Sequence, residues 1–358
     1  MSESFSNIPV PKDYYPYVTR SLLRLYDSGA LHDVVNIDVE PDYGYVSRIT
    51  YHDGSHRITY GNDLGLNTGA SSDLAKDKGH TKFMLSTIGV EYPKGEEFLL
   101  PWWADKIRPS QEARGNQAIR ASDMADAYIQ DELGYPVYTK PVDGSKGGDI
   151  YKVYSPTELG DVMELYEEKK VRVAIVEEPL EMPDYRVVTL DGELISAYRR
   201  IPLTVSGDGD SSIRKLLGNL QAQFEAEGRD TRLDADDYRI VTHLQIQGLT
   251  VDSRPAEGQD LVLVPVSNLS MGGTSEDVTD KIHSYWSDLA AYTAKNFNLR
   301  LCGVDLACSD ITDAESPYSV IEVNAAPGLD HYAASGDKQK QTVDKLYTRV
   351  FNALPNIR

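Results

Sequence analysis

The chain has 358 residues, of which 41% are hydrophobic and 26% charged, and its formal net charge is −20. This length allows a sizeable core and more than one domain, while the negative charge argues against nucleic-acid or membrane partners. Two cysteines, Cys302 and Cys308, are too few for a disulfide framework. The N-terminus lacks signal-peptide features, and no apolar run reaches about 18 residues, so we expect a cytoplasmic protein.

The first 70 residues predict a helix followed by a small antiparallel sheet. Apolar residues recur at helical spacing over 12–30, and three strand-like runs follow, at 34–39, 45–51 and 56–60. The turn sequences PDYG and DG separate these runs. We therefore predict an N-terminal domain over 1–70 that lacks the βαβ start of a dinucleotide-binding fold.

Residues 71–177 predict a second domain in which helices alternate with strands of the buried type. The expected elements are helices over 73–88, 121–133 and 156–170, and strands over 135–141, 150–154 and 171–177. Pro156 suits the first turn of its helix, where no N–H is needed. The segment 101–116, rich in Pro, Trp and polar residues, is predicted to be a loop.

Residues 178–358 predict a third domain of similar alternation. The expected strands lie over 185–190, 194–200, 261–266, 303–307 and 319–323, and the expected helices over 211–226, 278–297 and 337–353. The segment 227–260 is mixed and charged, and no element is assigned to it. Short strands alternating with helices predict an α+β fold in several lobes.

Two strands near the C-terminus end in residues suited to a metal ion. One run ends at Asp305, and a second, IEVN, carries Glu322 and Asn324 on one face because strand side chains alternate. On adjacent strands these three oxygen ligands would meet at one sheet edge, as Mg²⁺ requires when it also holds phosphates. A solvated acidic strand end with Asn in a turn is the open alternative.

A glycine-rich turn follows the predicted strand that carries Lys140. Its sequence, DGSKGG, would let backbone N–H groups of Ser145, Lys146, Gly147 and Gly148 approach a phosphate. An ordinary hairpin turn is the alternative, and the chain has no GxxxxGK[ST] phosphate loop.

The acidic connection VEEPLEMPDYR joins two predicted strands. Glu177 and the backbone of Glu178 to Leu180 have the donors and acceptors that an adenine needs, and Asp184 has the carboxylate that a ribose needs. An acidic surface connection is the alternative, and taken alone it explains this segment better.

Two further segments are candidates for contacts with anions. Arg186, Arg199 and Arg200 lie on one predicted hairpin, and arginine suits bidentate phosphate or carboxylate contacts. The loop that begins at Asn268, NLSMGGT, is small and polar enough for a close backbone approach. A salt-bridged sheet face and a plain loop before a helix are the respective alternatives.

The order of these segments resembles the ATP-grasp superfamily. The specific matches are SSDLAKDKGHTK, VSGDGDSSIRKLL, NLSMGGTSED and, above all, EVNAAPGL. Within the superfamily, the strongest resemblance is to the ATP-grasp part of cyanophycin synthetases and bifunctional glutathione synthetases. It covers residues 70–358 and implies two α/β lobes that sandwich ATP. The glycine spacing of the flap and the short N-terminal region depart from the usual pattern.

The resemblance implies three groups of ATP contacts. Lys78 and Lys140 would hold the phosphates, under a flap formed by Ser145, Lys146, Gly147 and Gly148. Glu177 would meet the adenine amino group, the backbone of Glu178 and Leu180 the ring, and Asp184 the ribose.

The resemblance also implies the metal and catalytic residues. Two Mg²⁺ ions, with Mn²⁺ as an alternative, would be bound by Asp305, Glu322 and Asn324. Arg200, with Arg186 beside it, would stabilise the transferring phosphoryl group, and Asn268 would contact substrate or phosphate.

The implied activity is an ATP-dependent carboxylate–amine ligase that forms an amide through an acyl phosphate. The expected substrates are amino acids or small peptides, and a homodimer is one oligomeric state that the family adopts. A kinase of the same fold and a non-catalytic ATP-binding regulatory protein are the alternatives. A kinase would leave a phosphorylated product and no condensed product. Every predicted phosphate and metal position is occupied by a competent residue, which counts against the regulatory protein.

Overall fold

The computed structural model describes residues 12–116, 120–144, 149–226, 229 and 231–354. The N-terminal region consists of one helix and a three-stranded antiparallel sheet in the order β1-β2-β3. Its elements are α1 (Tyr17–Asp27), β1 (Val34–Val39), β2 (Val46–Tyr51) and β3 (His56–Tyr60). The predicted helix and meander are confirmed, with the helix shorter at both ends.

The central region forms a four-stranded antiparallel sheet in the order β4-β7-β5-β6. Its elements are α2 (Gly69–Lys76), α3 (Lys78–Thr87), β4 (Gly95–Leu99), α4 (Pro101–Ala113), a 3₁₀ turn at Ser122–Met124, α5 (Ala125–Tyr128), a π-helical turn at Ile129–Leu133, β5 (Val137–Pro141), β6 (Tyr151–Val153), α6 (Pro156–Glu168) and β7 (Val173–Glu177). The apolar side chains of Phe98, Val137 and Tyr166 form the core of this region.

The C-terminal region forms a five-stranded antiparallel sheet in the order β12-β9-β8-β13-β14, and β10 pairs with β11 in a separate small sheet. Its elements are β8 (Asp184–Leu190), β9 (Glu193–Ile201), β10 (Thr204–Ser206), α7 (Ile213–Ala226), α8 (Tyr238–Ile246), β11 (Asp260–Val262), a 3₁₀ turn at Leu269–Met271, β12 (Thr274–Asp277), α9 (Ser284–Asn296), β13 (Leu301–Cys308), β14 (Tyr318–Asn324), α10 (Asp330–Ala334) and α11 (Asp337–Asn352).

The five-stranded sheet has an apolar core on each of its two faces. On one face, Val187, Val304 and Val323 pack with Trp286 of α9. On the other face, Val188 and Leu301 share a core with α1, the N-terminal sheet and α11. The N-terminal region therefore packs onto the C-terminal lobe.

The single helix predicted over 73–88 is divided at Asp77. The side chain of Thr68 caps α2 by accepting from Ser71 N, and that of Asp77 caps α3 by accepting from His80 N at 2.9 Å. Asp77 itself is extended, with φ −94° and ψ 111°. Since a cap residue leaves the helical conformation, α3 starts in a new direction at Lys78.

The loop prediction for 101–116 is wrong. Residues 101–113 form α4, which starts at Pro101, a residue that is well tolerated in a first helical turn. The Trp102 indole donates to Val171 O at 2.7 Å and fixes the helix on the central region. The preceding strand β4 was not predicted either.

The segment 227–260 contains a helix that the sequence analysis left unassigned. Residues 238–246 form α8, whose Ile240 and Leu244 join a small core with Leu217 of α7 and Leu261 of β11. The strand predicted over 261–266 ends at Val262. Across the described residues, no helix is long and apolar enough to cross a membrane.

Candidate functional site

Helix α3 directs two lysines, four residues apart, toward both larger sheets. Residues at i and i+4 lie on one helix face, and Lys78 and Lys82 are both buried. Lys78 Nζ donates to Gly144 O at 2.7 Å and lies 3.1 Å from Glu322 Oε1 of β14. Lys78 thus links the turn after β5 to the edge of the five-stranded sheet.

Glu177, at the end of β7, is a buried carboxylate with two lysine partners. Its Oε2 is 2.5 Å from Lys140 Nζ and its Oε1 is 2.9 Å from Lys82 Nζ. Burial alone would raise the pKa of Glu177, but the two ammonium groups outweigh it and lower the pKa below its usual range. Glu177 is therefore held as a carboxylate.

A row of polar residues crosses all five strands of the C-terminal sheet. The register places Asp277 opposite Tyr198, Tyr198 opposite Arg186, Arg186 opposite Asp305, and Asp305 opposite Glu322. Directly opposite residues share a face of the sheet. The predicted ligands Asp305 and Glu322 are consequently neighbours, with a predicted catalytic arginine beside them.

Asp305 is bound by both predicted catalytic arginines. Arg186 Nε and Nη2 lie 2.5 and 2.8 Å from its two oxygens, and Arg200 Nη2 lies 2.8 Å from Oδ2. Arg200 also forms a bidentate pair with Asp184, at 2.8 Å to each oxygen. The arginines are thus paired with the carboxylates predicted to bind metal and ribose.

The pKa values of Asp184 and Asp305, the two carboxylates of this network, are shifted in opposite directions. Burial raises the pKa of Asp184 to about 6, with the nearby Asp305 adding to the shift and Arg200 opposing it. At Asp305, burial also favours the neutral form, but Arg186 and Arg200 prevail and lower its pKa. Asp305 is therefore held as a carboxylate between the two arginines.

The donor set at the β13–β14 edge fits Mg²⁺ by its chemistry. Asp305, Glu322 and Asn324 supply oxygen atoms, and the buried Asn324 Nδ2 has no hydrogen-bond partner. Glu322 is partly accessible, whereas Asp305 is 1% exposed and its oxygens are bonded to arginines. No group of three or more His, Cys, Asp or Glu residues suited to a metal occurs in the described parts of the chain.

The other predicted ATP contacts lie in the connection after β7. Glu178 accepts from Lys94 N at 2.7 Å and donates its own N–H to Lys94 O at 2.9 Å. Leu180 is half-buried and lies before Asp184, where β8 begins. The predicted flap residues Ser145, Lys146, Gly147 and Gly148 lie outside the described residues.

Asn268 has a local structural role in the loop that leads to β12. Its side chain accepts from Ser270 N at 2.9 Å and caps the 3₁₀ turn, while its carbonyl accepts from Gly273 N. A Cβ on Gly273 would lie 2.6 Å from Ile201 O and 2.8 Å from Asn268 O, so only glycine fits here. Ser275 of β12 stands opposite Arg200, so this loop leads into the strand beside the arginine network.

Two residues that structure the site were missed by the sequence analysis. Lys82 contacts Glu177, and its spacing of four from Lys78 was the available signal. Asn67 donates to Leu301 O at 2.8 Å and to Ala325 O at 2.7 Å, and accepts from Arg300 N at 2.7 Å. Nothing in the sequence distinguishes Asn67 from a surface asparagine.

Comparison with known proteins gives relatives but no family model that matches. Over 270 residues, 73% of its length, the chain is 32% identical to the cyanophycin synthetase of Geminocystis herdmanii, of which the match covers 28%. Over 332 residues, 88% of its length, it is 26% identical to the glutathione biosynthesis bifunctional protein of Mannheimia succiniciproducens, covering 41%.

Among solved structures, the chain is similar to the bifunctional glutathione synthetase from Pasteurella multocida. The TM-score is 0.55 at 22% identity, over 94% of this chain and 45% of that one. The chain thus spans less than half the length of these three relatives.

The chain has the ATP-grasp fold, an α+β architecture that contains a four-stranded and a five-stranded antiparallel sheet. The resemblance drawn from EVNAAPGL and NLSMGG, including the likeness to cyanophycin synthetase and bifunctional glutathione synthetase, is confirmed. Lys78, Lys82 and Lys140 pair with Glu322 and Glu177, and Arg186 and Arg200 pair with Asp305 and Asp184, so five cations of the site are matched by four carboxylates.

Proposed function

We propose that this protein is an ATP-dependent carboxylate–amine ligase. The observation that carries the proposal is the bridge made by Lys78, which bonds the turn after β5 and pairs with Glu322 of the C-terminal sheet. The cluster of paired cations and carboxylates around this bridge suits a polyanionic nucleotide, because phosphate oxygens can replace the carboxylates as partners.

In this proposal the nucleotide lies between the two larger sheets. Lys78 and Lys140 bind its phosphates, and the flap that includes Ser145 to Gly148 covers them. Glu177 accepts from the adenine amino group, the backbone of Glu178 and Leu180 contacts the ring, and Asp184 binds the ribose. Asp305, Glu322 and Asn324 would hold two Mg²⁺ ions, which neutralise charge on the phosphates when bound.

The reaction would proceed in two displacements. An oxygen of the substrate carboxylate forms a bond to the γ-phosphorus while the bond to the ADP oxygen breaks, giving an acyl phosphate. The amine nitrogen then bonds to the acyl carbon, phosphate leaves with the C–O bond electrons, and the amine loses a proton. Arg186 and Arg200 stabilise the charge on the transferring group, and Asn268 lies in the loop that approaches the substrate.

We propose amino acids or small peptides as substrates. The support is that the names of the relatives refer to cyanophycin and glutathione synthesis. The proposed reaction requires no protein nucleophile, and both cysteines are buried in the sheet core. We propose that the reaction takes place in the cytoplasm.

The test is an incubation of the full chain with Mg-ATP and a pool of amino acids and dipeptides. We expect ADP, phosphate and a product whose mass equals two pool members minus water, measured by chromatography and mass spectrometry. A reaction without amines is the control and should yield no condensed product. A stable phosphorylated pool member without condensation would contradict the ligase and identify a kinase.

A further inference from the structure

Lys82 is a buried cation to which the proposed function gives no role. Its side chain is 11% exposed, and its Nζ lies 2.9 Å from Glu177 Oε1 and 2.7 Å from Pro93 O. Burial lowers the pKa of Lys82, and the Glu177 carboxylate opposes that shift. An ion pair to Glu177 Oε1 and a hydrogen bond to Pro93 O therefore hold this ammonium group, while Lys140 occupies the other oxygen of Glu177.

Lys140 has two potential partners in a nucleotide-bound site. In the structure its Nζ lies 2.5 Å from Glu177 Oε2. If Lys140 turned to a phosphate, Glu177, which is 4% exposed, would need another counter-ion. An ionised carboxylate that loses its only partner inside a protein is strongly unfavourable.

We infer that Lys82 is a positioning residue: it is the permanent counter-ion of Glu177, and it allows Lys140 to bind nucleotide phosphates without leaving a buried charge unpaired. This inference rests on the proposed function, because it requires a nucleotide beside Lys140. Lys82 acts through Glu177 and does not itself touch the nucleotide.

The geometry favours this role over direct phosphate binding by Lys82. Its Nζ is already held by a carboxylate and by a carbonyl, and the ring of Tyr92 lies 5.9 Å away. Lys78, one turn earlier on α3, instead meets Gly144 O of the turn after β5 and Glu322 of β14. The two lysines of α3 thus have different tasks.

The experiment is calorimetric titration of the full-length protein with Mg-AMPPNP, an ATP analogue that is not hydrolysed. We expect Lys82→Met to weaken binding at least about tenfold, equivalent to about 1.4 kcal/mol, because Lys140 remains locked on Glu177. Lys82→Arg should stay within about threefold of the wild type. Lys76→Met, an exposed lysine paired with Asp73, is the matched control and should bind normally.

Repeating the Lys82→Met substitution in the Glu177→Gln variant separates the inferred role from a direct contact of Lys82 with the nucleotide. In Glu177→Gln the buried charge is absent, so adding Lys82→Met should change affinity by less than about twofold. An equal loss in both backgrounds would overturn the inference and indicate direct binding. Unchanged affinity of Lys82→Met would also overturn it, and if that variant fails to fold, the comparison within the Glu177→Gln background decides.

The titration also separates this inference from the ligase proposal. Binding of Mg-AMPPNP with the expected differences, but no condensed product from any substrate pool, would refute only the ligase. A wild-type protein that binds no nucleotide would refute both.

Discussion

Asp305 and Glu322 stand opposite each other on neighbouring strands, yet their surroundings differ. Asp305 is fully buried and joins Arg186 and Arg200, whereas Glu322 is half-buried and meets Lys78. The register makes these two carboxylates equivalent candidates for metal binding, but only Asp305 is also a structural counter-ion. Substitutions at the two positions should therefore have different consequences.

Glu322→Gln should abolish Mg-ATP turnover at little cost in stability. The change keeps the size of the side chain, and its amide oxygen can still accept from the buried Lys78, so we expect about 1 kcal/mol of destabilisation. Turnover is measured by ADP release and stability by urea unfolding. Turnover close to the wild-type rate would contradict the metal assignment of Glu322.

Asp305→Ala should instead damage the fold. Two buried guanidinium groups would lose their shared partner, and breaking a buried ion pair from one side costs about 3–5 kcal/mol. The same urea titration, run beside Glu322→Gln, measures the difference. Equal stability of the two variants would show that the arginine network contributes nothing to folding.

At single positions, the sequence predicted residues whose chemistry is visible in a local pattern. Asp305, Glu322 and Arg186 were predicted because they lie on strands whose order along the chain matches a known motif order. The structure places them in one row across the sheet. Lys82 was missed because a lysine on an amphipathic helix usually faces solvent, and its burial depends on Glu177 of a distant strand. The spacing from Lys78 places Lys82 on the same helix face, but it does not show which distant residue that face meets.

At the scale of the elements, Asn67 in the segment after the N-terminal sheet hydrogen-bonds the start of β13 and the residue that follows β14. Strand β14 ends at Asn324, opposite Gly303, and the chain then turns away. Beyond this point the side-chain amide of Asn67 connects the two segments. It accepts from Leu301 N and donates to Leu301 O and Ala325 O. It thereby sets the spacing between the two strands that carry the predicted metal ligands.

Asn67→Ala should lower the free energy of unfolding and raise the Mg²⁺ concentration needed for half-maximal turnover. Four hydrogen bonds are lost, at about 0.5–1.5 kcal/mol each when partly compensated by water. Urea unfolding and a Mg²⁺ titration of activity are the measurements. Asn36→Ala is the control: the Asn36 side chain bonds Asp38, two residues along its own strand, so the substitution should change neither quantity much.

If Asn67 influences the metal ligands, Asn67→Ala should change the Mg²⁺ requirement as well as the free energy of unfolding. A loss of stability with an unchanged Mg²⁺ requirement would show that Asn67 is structural and has no influence on the ligands. Asn67→Asp should be worse than Asn67→Ala, since a carboxylate would face two carbonyl oxygens.

The elements that periodicity predicted well are those with a single buried face. Strands β1 and β3 have the predicted bounds, and α6 begins at Pro156 as expected. The prediction of elements failed where one residue type is common in two different structural positions. Pro101 reads as a loop residue but starts α4, and Asp77 reads as part of a helix but caps the next one. Such choices depend on contacts made by residues elsewhere in the chain.

For the molecule as a whole, the predicted N-terminal domain over 1–70 shares a core with the C-terminal lobe. Leu22 of α1 and Ile49 of β2 pack in one cluster with Tyr347 and Phe351 of α11. Asn352 also donates to Ala30 O at 2.9 Å, and Arg57 donates to Ala353 O at 2.9 Å. The sequence could not show this, because the contacts join residues about 300 positions apart.

Leu22→Ala should therefore destabilise α11 as well as α1. Removing a fully buried leucine costs about 2–5 kcal/mol, and we expect hydrogen exchange of the α11 amides to accelerate accordingly. Tyr14→Ala, at a site that is 62% exposed, is the control and should leave exchange unchanged. Normal protection of α11 in Leu22→Ala would show that the N-terminal region folds independently.

The shared core of α1 and α11 has a consequence for biosynthesis. A ribosome releases α1 and the N-terminal sheet first, but their apolar partners on α11 are among the last residues of the described chain to be made. Until then, Leu22, Leu23 and Tyr51 have no complete core to enter. The nascent chain must carry these apolar surfaces while the residues between α1 and α11 are made, when chaperones and aggregation compete for them.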